Sequence, residues 1–240
     1  MRAIALFSIF SILAVGLNFF GPQRKELPDD SDWWSLVRPR GQLLATARGE
    51  EPPIASFTIA GIDLGPGSFG DVIPKLGDAT VVMRGEQAQS REQLCYRSSD
   101  DKTRLIFEKS EEAEAFYLVG PGPDWYGSAF CEKSPIVTST IATASGLRLG
   151  LTMPEVEQIM GAPSGNVPNR SEWLWNGQFH ITVDQLKRIR QRQPYLELKD
   201  SEAASLRHKF SAVLEVTYTD GRVSEIGAWY SFDDSEKFED

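Results

Sequence analysis

The chain is poor in the side chains that most often carry reaction chemistry. Its 240 residues hold two cysteines and two histidines. Cys95 and Cys131 stand far apart, so there is no Cys-x-x-Cys pair for redox or zinc work. His180 lies in Gln-Phe-His-Ile-Thr-Val and His208 in a basic stretch, and neither begins a metal-spaced pair. No Gly-x-Ser-x-Gly elbow is present for acyl chemistry. Asp and Glu pairs are plentiful but unpatterned and read as solvated surface, so no catalytic residue, metal ligand or cofactor is expected. Basic charge is also scarce. Lys and Arg number 25 against 34 Asp and Glu, a net charge of −9. That excess repels phosphate backbones and argues against nucleic acid as the main partner.

What the chain does have begins at its first residues. Met1 and Arg2 supply positive charge, and Ala3 to Phe20 carries no charged residue. Ala14-Val15-Gly16 offers small residues at the spacing a signal peptidase reads, so residues 1–20 read as a signal peptide cleaved after Gly16. A retained anchor is the competing reading, because a bilayer-spanning helix needs ~20 apolar residues and this segment just reaches that length. Arg24 and Lys25 would then lie outside, against the positive-inside tendency. No cysteine lies near the segment, which disfavours a lipid anchor. Either way the chain is exported, periplasmic or extracellular, and touches a membrane only through residues 3–20 if they are kept. In such a compartment Cys95 and Cys131 most simply form a disulfide, with two free buried thiols as the alternative.

Residues 21–53 read as a tether, with Pro22, Pro28, Pro39, Pro52 and Pro53 and little periodicity. Residues 233–240 read as an acidic tail. A basic run, Lys187, Arg188, Arg190, Arg192, Arg207, His208 and Lys209, reads as a solvated face, or as a docking strip for an acidic partner or an anionic membrane surface. Between tether and tail the chain repeats itself. Gly61-Ile-Asp-Leu-Gly65 matches Gly146-Leu-Arg-Leu-Gly150, and Ser68-Phe-Gly-Asp-Val72 matches Thr152-Met-Pro-Glu-Val156. Leu76-Gly77 matches Met160-Gly161 at the same spacing. Ser68 with Asp71, and Thr152 with Glu155, have the spacing of capping boxes, and Gly77 and Gly161 sit where a helix would stop. Pro74 should shorten or kink the first helix.

Strand signals follow each helix: Glu92–Arg97, Thr103–Glu108, Ala115–Val119 and Pro135–Ile141, then Glu172–Trp175, Gln178–Val183, Ser211–Thr219 and Arg222–Tyr230. Asp220-Gly221 reads as a type I′ hairpin turn, and a short helix is expected near 201–209. The predicted fold class is therefore α+β, two tandem copies of a short helix plus its own antiparallel sheet, at 54–144 and 145–232. Gly65-Pro-Gly67-Ser-Phe-Gly70-Asp-Val72 also fits the glycine-rich nucleotide pattern. The second copy, Gly150-Leu-Thr-Met-Pro-Glu, keeps the helix cap and drops the glycines, which favours a structural role.

The pattern of Leu64, Gly65, Ser68, Val72, Leu76 and Gly77, repeated in Leu149, Gly150, Thr152, Val156, Met160 and Gly161, resembles two families that share one module. One is the secreted β-lactamase inhibitor protein family, with two tandem copies. The other is the small lipoprotein of the outer-membrane β-barrel assembly machinery, with one. The resemblance implies a helix-and-sheet fold and a habit of binding proteins. The expected function is that of a non-enzymatic extracytoplasmic protein-binding or envelope-assembly protein; the alternative is a hydrolase built on carboxylates that the sequence does not single out.

Alternation along the strands points to a binding surface. Leu214, Val216, Tyr218, Ile226, Ala228 and Tyr230 should face the core, leaving Trp229 outside. Phe179, Ile181 and Val183 turn His180 outward, and Trp173 and Trp175 share one face. Trp173, Trp175, His180 and Trp229 are the expected contacts with a protein partner, since exposed aromatics make good binding anchors.

Overall fold

The structure, a computed structural model, describes residues 25–26, 52–65, 67–84, 91–110, 113–121, 130–180 and 207–233. Residues 3–20, most of the tether, the basic run from Lys187 to Arg192 and the tail beyond 233 lie outside the described residues. No helix among the described residues is long and apolar enough to cross a membrane.

Period-two alternation builds nearly all of the fold. A short edge strand β1 (Lys25–Glu26) and a small hairpin, β2 (Thr58–Ile59) with β3 (Ile62–Asp63), come first. Next come β4 (Val82–Arg84), β5 (Arg91–Arg97), β6 (Arg104–Lys109), β7 (Ala113–Val119) and the two-residue β8 (Glu132–Lys133). The second half supplies β9 (Gly165–Val167), β10 (Arg170–His180), β11 (Arg207–Thr219) and β12 (Arg222–Asp233). All except the hairpin join one 10-stranded sheet ordered β1-β4-β5-β6-β7-β12-β11-β10-β9, with β8 paired to β5. Asp220 and Gly221 both take positive φ, 53° and 74°, which is the type I′ geometry that matches the twist of the β11–β12 hairpin.

This sheet overturns the α+β expectation. The fold is largely β, and the described residues form only two short α-helices, α1 (Val72–Leu76) and α2 (Met153–Met160). The two sets of strands do not close into separate sheets, because β7 and β12 pair antiparallel from Val119↔Glu225 to Ala113↔Ser231. An unpaired strand edge leaves backbone donors and acceptors unsatisfied, and joining the last strand of each half removes two such edges at once. Other local expectations shift too. Residues 135–141 form loop and turn, Gln178–His180 simply continue β10, and Arg207–Lys209 open β11 where a helix was expected.

The repeated motif occupies one core. Leu64, Val72 and Leu76 from the first half pack in the same cluster as Leu149, Val156 and Met160 from the second. The helices stop as their glycines demand: Gly77 has φ 97°, ψ 174° and Gly161 φ 72°, ψ −176°, a region essentially restricted to glycine. Pro74 is tolerated because α1 begins at Val72, so the proline lies in the first turn, where its missing N–H has no helix partner to lose. An aromatic on the sheet ties down each stop. Tyr96 Oη on β5 donates to Gly77 O at 2.8 Å, and Trp173 Nε1 on β10 donates to Gly161 O at 3.1 Å.

The two helix starts differ. At α2 the local box forms: Glu155 Oε2 accepts from Thr152 N at 2.7 Å and from Thr152 Oγ1 at 2.8 Å. Those two donors hold the Glu155 carboxyl below its ordinary pKa. At the first helix the expected Ser68–Asp71 box is replaced. Ser68–Asp71 is a 3-10 turn, and its donors reach a carboxylate from the sheet. Glu114 on β7, 2 % exposed, accepts from Gly67 N at 2.9 Å, Phe69 N at 2.7 Å and the Ser68 hydroxyl. The amides that a phosphate would need in a nucleotide loop are thus taken up by an internal carboxylate.

Candidate functional site

The sheet has two unlike faces. The first packs under both helices and the β2–β3 hairpin, with Leu94, Tyr96, Leu105, Phe107, Phe116 and Leu118 in one half and Leu214, Val216, Tyr218, Ile226 and Ala228 in the other. Trp173 and Trp175 belong to this face, at 0 % and 1 % exposure. They are core residues and cannot meet a partner, which corrects their assignment as surface contacts. The physical reason is packing: Trp175 meets Phe57 edge-to-face at 5.6 Å, and Trp173 is bonded to the glycine that ends α2. His180 ends the described part of β10, and its side chain lies outside the described residues.

The second face carries a separate, smaller cluster that contains no residue of either helix. Cys95, Ile106, Ala115, Tyr117, Val119 and Cys131 form it, with Trp229 packed against them. Strand register lays this face out in cross-strand rows. One row reads Cys95, Ile106, Tyr117, Gly227, Glu215 and Glu172. The row on one side reads Gln93, Glu108, Ala115, Trp229, Val213 and Leu174, and that on the other Arg97, Arg104, Val119, Glu225, Thr217 and Arg170.

Gly227 explains the placement of Trp229. A Cβ at 227 would meet Trp229 Cη2 at 2.6 Å, so the indole lies over the glycine's bare backbone. From there it packs edge-to-face on Tyr117 at 5.4 Å, and its Nε1 donates to Tyr117 Oη at 2.9 Å. Burial pushes the Tyr117 phenol well up, which keeps it neutral in this pair. Trp229, Val213 and Leu174 are half-buried, whereas their first-face neighbours Ala228, Leu214, Trp173 and Trp175 are fully buried. The alternation along β10 to β12 therefore leaves an apolar strip partly open on the second face, and Trp229 is the expected surface residue that lies in it.

Charges border the strip. Arg91 Nη1 donates to Glu108 Oε1 at 2.5 Å, and Gln93 Nε2 to Glu108 Oε2 at 2.7 Å. On the far side Arg170 Nη1 lies 3.3 Å from Glu215 Oε2, each residue 7 % exposed. Burial lifts the Glu215 carboxyl to about 7, against the pull of Arg170 and helped by Glu172 directly opposite it. The Glu172 carboxyl is raised too, again chiefly by burial. Neither the row pattern nor this carboxylate pair was legible in the sequence, because both arise from pairing between distant strands.

The disulfide is formed. Cys95 on β5 and Cys131 just before β8 are bonded, with Cα atoms 4.4 Å apart. It fits an oxidising, extracytoplasmic environment. Among the described residues no group of His, Cys, Asp and Glu side chains is arranged to hold a metal ion. No protein-family model matches the chain, and neither a curated protein nor a solved structure matches it.

Proposed function

We propose that this is a non-enzymatic extracytoplasmic protein that binds another protein, in transit or in envelope assembly, through the second face of its sheet. The observation that carries the reading is the half-open strip of Trp229, Val213 and Leu174, set beside Tyr117 and bordered by charges, on a face whose cluster contains no helix residue. Large aromatics with a polar handle, ringed by charged groups, are the usual composition of a protein-binding hot spot. The N-terminal segment, cleaved or kept as an anchor, would deliver the chain to a periplasmic or extracellular location.

One observation favours a second reading, a carboxylate hydrolase: Glu172 and Glu215 stand directly opposite each other with raised pKa values. Against it, Glu215 is 7 % exposed and ion-paired with Arg170, so a substrate bond has no access to it. The test uses the full chain and its Trp229→Ala variant, immobilised side by side and exposed to a secreted or envelope extract. A protein retained by the parent and lost from the variant, with the variant's melting temperature little changed, supports the reading. Equal retention by both overturns it, and turnover of glycoside or ester substrates that Glu172→Gln abolishes would establish the hydrolase instead.

A further inference from the structure

We propose that Glu172 is the cation anchor of the docking strip, and that its occupant is a lysine or arginine side chain of the partner. The segment that bears this cation would lay apolar side chains over Leu174, Val213 and Trp229. This rests on the reading that the second face docks a protein, and it names the chemistry of that partner.

Glu172 stands at the outer end of the strip. It is half-buried on β10, two residues before Leu174 and therefore on the same face. Across the ladder its inner neighbour is Glu215 on β11, and its outer neighbour is Gly165 on β9. Gly165 carries no side chain, so nothing in the ladder stands against the outer flank of the carboxylate. The other charged groups around this pair are Arg170, two residues before Glu172 on β10, and Glu225, diagonal to Glu215 on β12. Gly227, directly across from Glu215, supplies no side-chain donor.

Two carboxylates directly opposite on neighbouring strands repel, and the one guanidinium beside them offsets one charge. Arg170 Nη1 lies 3.3 Å from Glu215 Oε2, yet that buried oxygen accepts no hydrogen bond. Among the described residues no side-chain hydrogen bond or ion pair reaches the Glu172 carboxylate, and the charge that acts on it is that of Arg170. Burial raises its pKa, as a desolvated acid without a donor requires. The opposite end of the same row shows a matched acid. Glu108 accepts from Arg91 Nη1 at 2.5 Å and from Gln93 Nε2 at 2.7 Å. A cation brought by the partner completes at Glu172 what Arg91 completes at Glu108. Glu215, buried behind Glu172, adds its charge without touching the partner, and the chain's net charge of −9 adds attraction at longer range.

The experiment titrates the full, disulfide-bonded chain at pH 8 and fixed ionic strength with an end-blocked hexapeptide of alternating lysine and leucine. Counterparts with glutamate or glutamine in place of lysine are run beside it, and backbone amide NMR reads out the site. The lysine peptide should shift the amides of Glu172, Leu174 and Val213 and bind most tightly of the three. Glu172→Gln should weaken it roughly fivefold or more, the worth of one ion pair. Glu215→Gln should weaken it less, and it carries the test if Glu172→Gln fails to fold. Glu157→Gln, an equal change of charge at an exposed position on α2, should leave the affinity unchanged. No binding by the parent, unchanged affinity in the folded Glu172 and Glu215 variants, or an equal loss in Glu157→Gln overturns the site. Glutamate or glutamine peptide bound as tightly as the lysine peptide overturns the assignment to a cation. Trp229→Ala separates the two readings. Weakened binding there with none in Glu172→Gln keeps the docking face and sinks the anchor, and the reverse keeps the anchor and sinks the face.

Discussion

Replacing Glu114 with alanine should be among the most damaging single changes to this fold, although Glu114 makes no contact that its neighbours in sequence would reveal. Its carboxylate serves the turn that starts the first helix, accepting from Gly67 N, Phe69 N and the Ser68 hydroxyl. Hydrogen bonds to a charged acceptor are each worth ~1.5–3 kcal/mol net, and donors left buried without an acceptor add a desolvation cost. The bonds share one carboxylate and are not additive, so a loss of about 3–5 kcal/mol is expected for Glu114→Ala. Thr152→Ala is the natural comparison, since it weakens the solvent-facing box of the second helix and should cost only ~1 kcal/mol. Glu114→Gln should fall between them, because an amide keeps one acceptor and turns an N–H₂ group toward a donor. Guanidinium unfolding followed by circular dichroism and by tryptophan fluorescence would measure all three variants. A Glu114→Ala loss no larger than that of Thr152→Ala would refute the claim that the sheet caps the first helix.

Gly227→Ala should cost ~1–3 kcal/mol by overpacking, since the new Cβ would meet Trp229 at 2.6 Å, and calorimetry should find the cost largely gone in a Trp229→Ala background. Glu215 makes stability depend on pH: its folded-state pKa, raised from 4.5 to about 7, means stability present below pH 4.5 is lost as pH rises toward 7. Glu215→Gln should flatten that part of the melting-temperature profile, and an identical slope in both proteins would refute the burial of a protonated carboxyl there. Reducing the Cys95–Cys131 bond, whose ends are 36 residues apart, should cost ~3–4 kcal/mol by loop entropy, measurable as a shift of the guanidinium midpoint. Labelling of both cysteines in unreduced, denatured protein would show that the bond does not form.

Interactions that close within a few residues were legible in the sequence. Thr152 and Glu155 found each other because three residues of helix bring an N-cap and its partner into reach. Asp220-Gly221 made its turn, and Gly77 and Gly161 ended their helices, because only certain residues tolerate those dihedrals. Alternation put Leu214, Val216, Ile226 and Ala228 on one face of their strands, and the even cysteine count in a chain read as exported pointed to the disulfide. The Ser68–Asp71 box failed as a local prediction because a distant glutamate competes better for buried amides. Period two told that Trp173 and Trp175 share a face, but which face meets the helices is settled only when the helices dock. The same holds for the merger of β7 with β12, and for Lys133 standing beside Arg97. A backbone hydrogen bond between strands carries no residue code, so the choice of neighbour falls to packing and edge satisfaction across the whole sheet, and a linear pattern does not contain it.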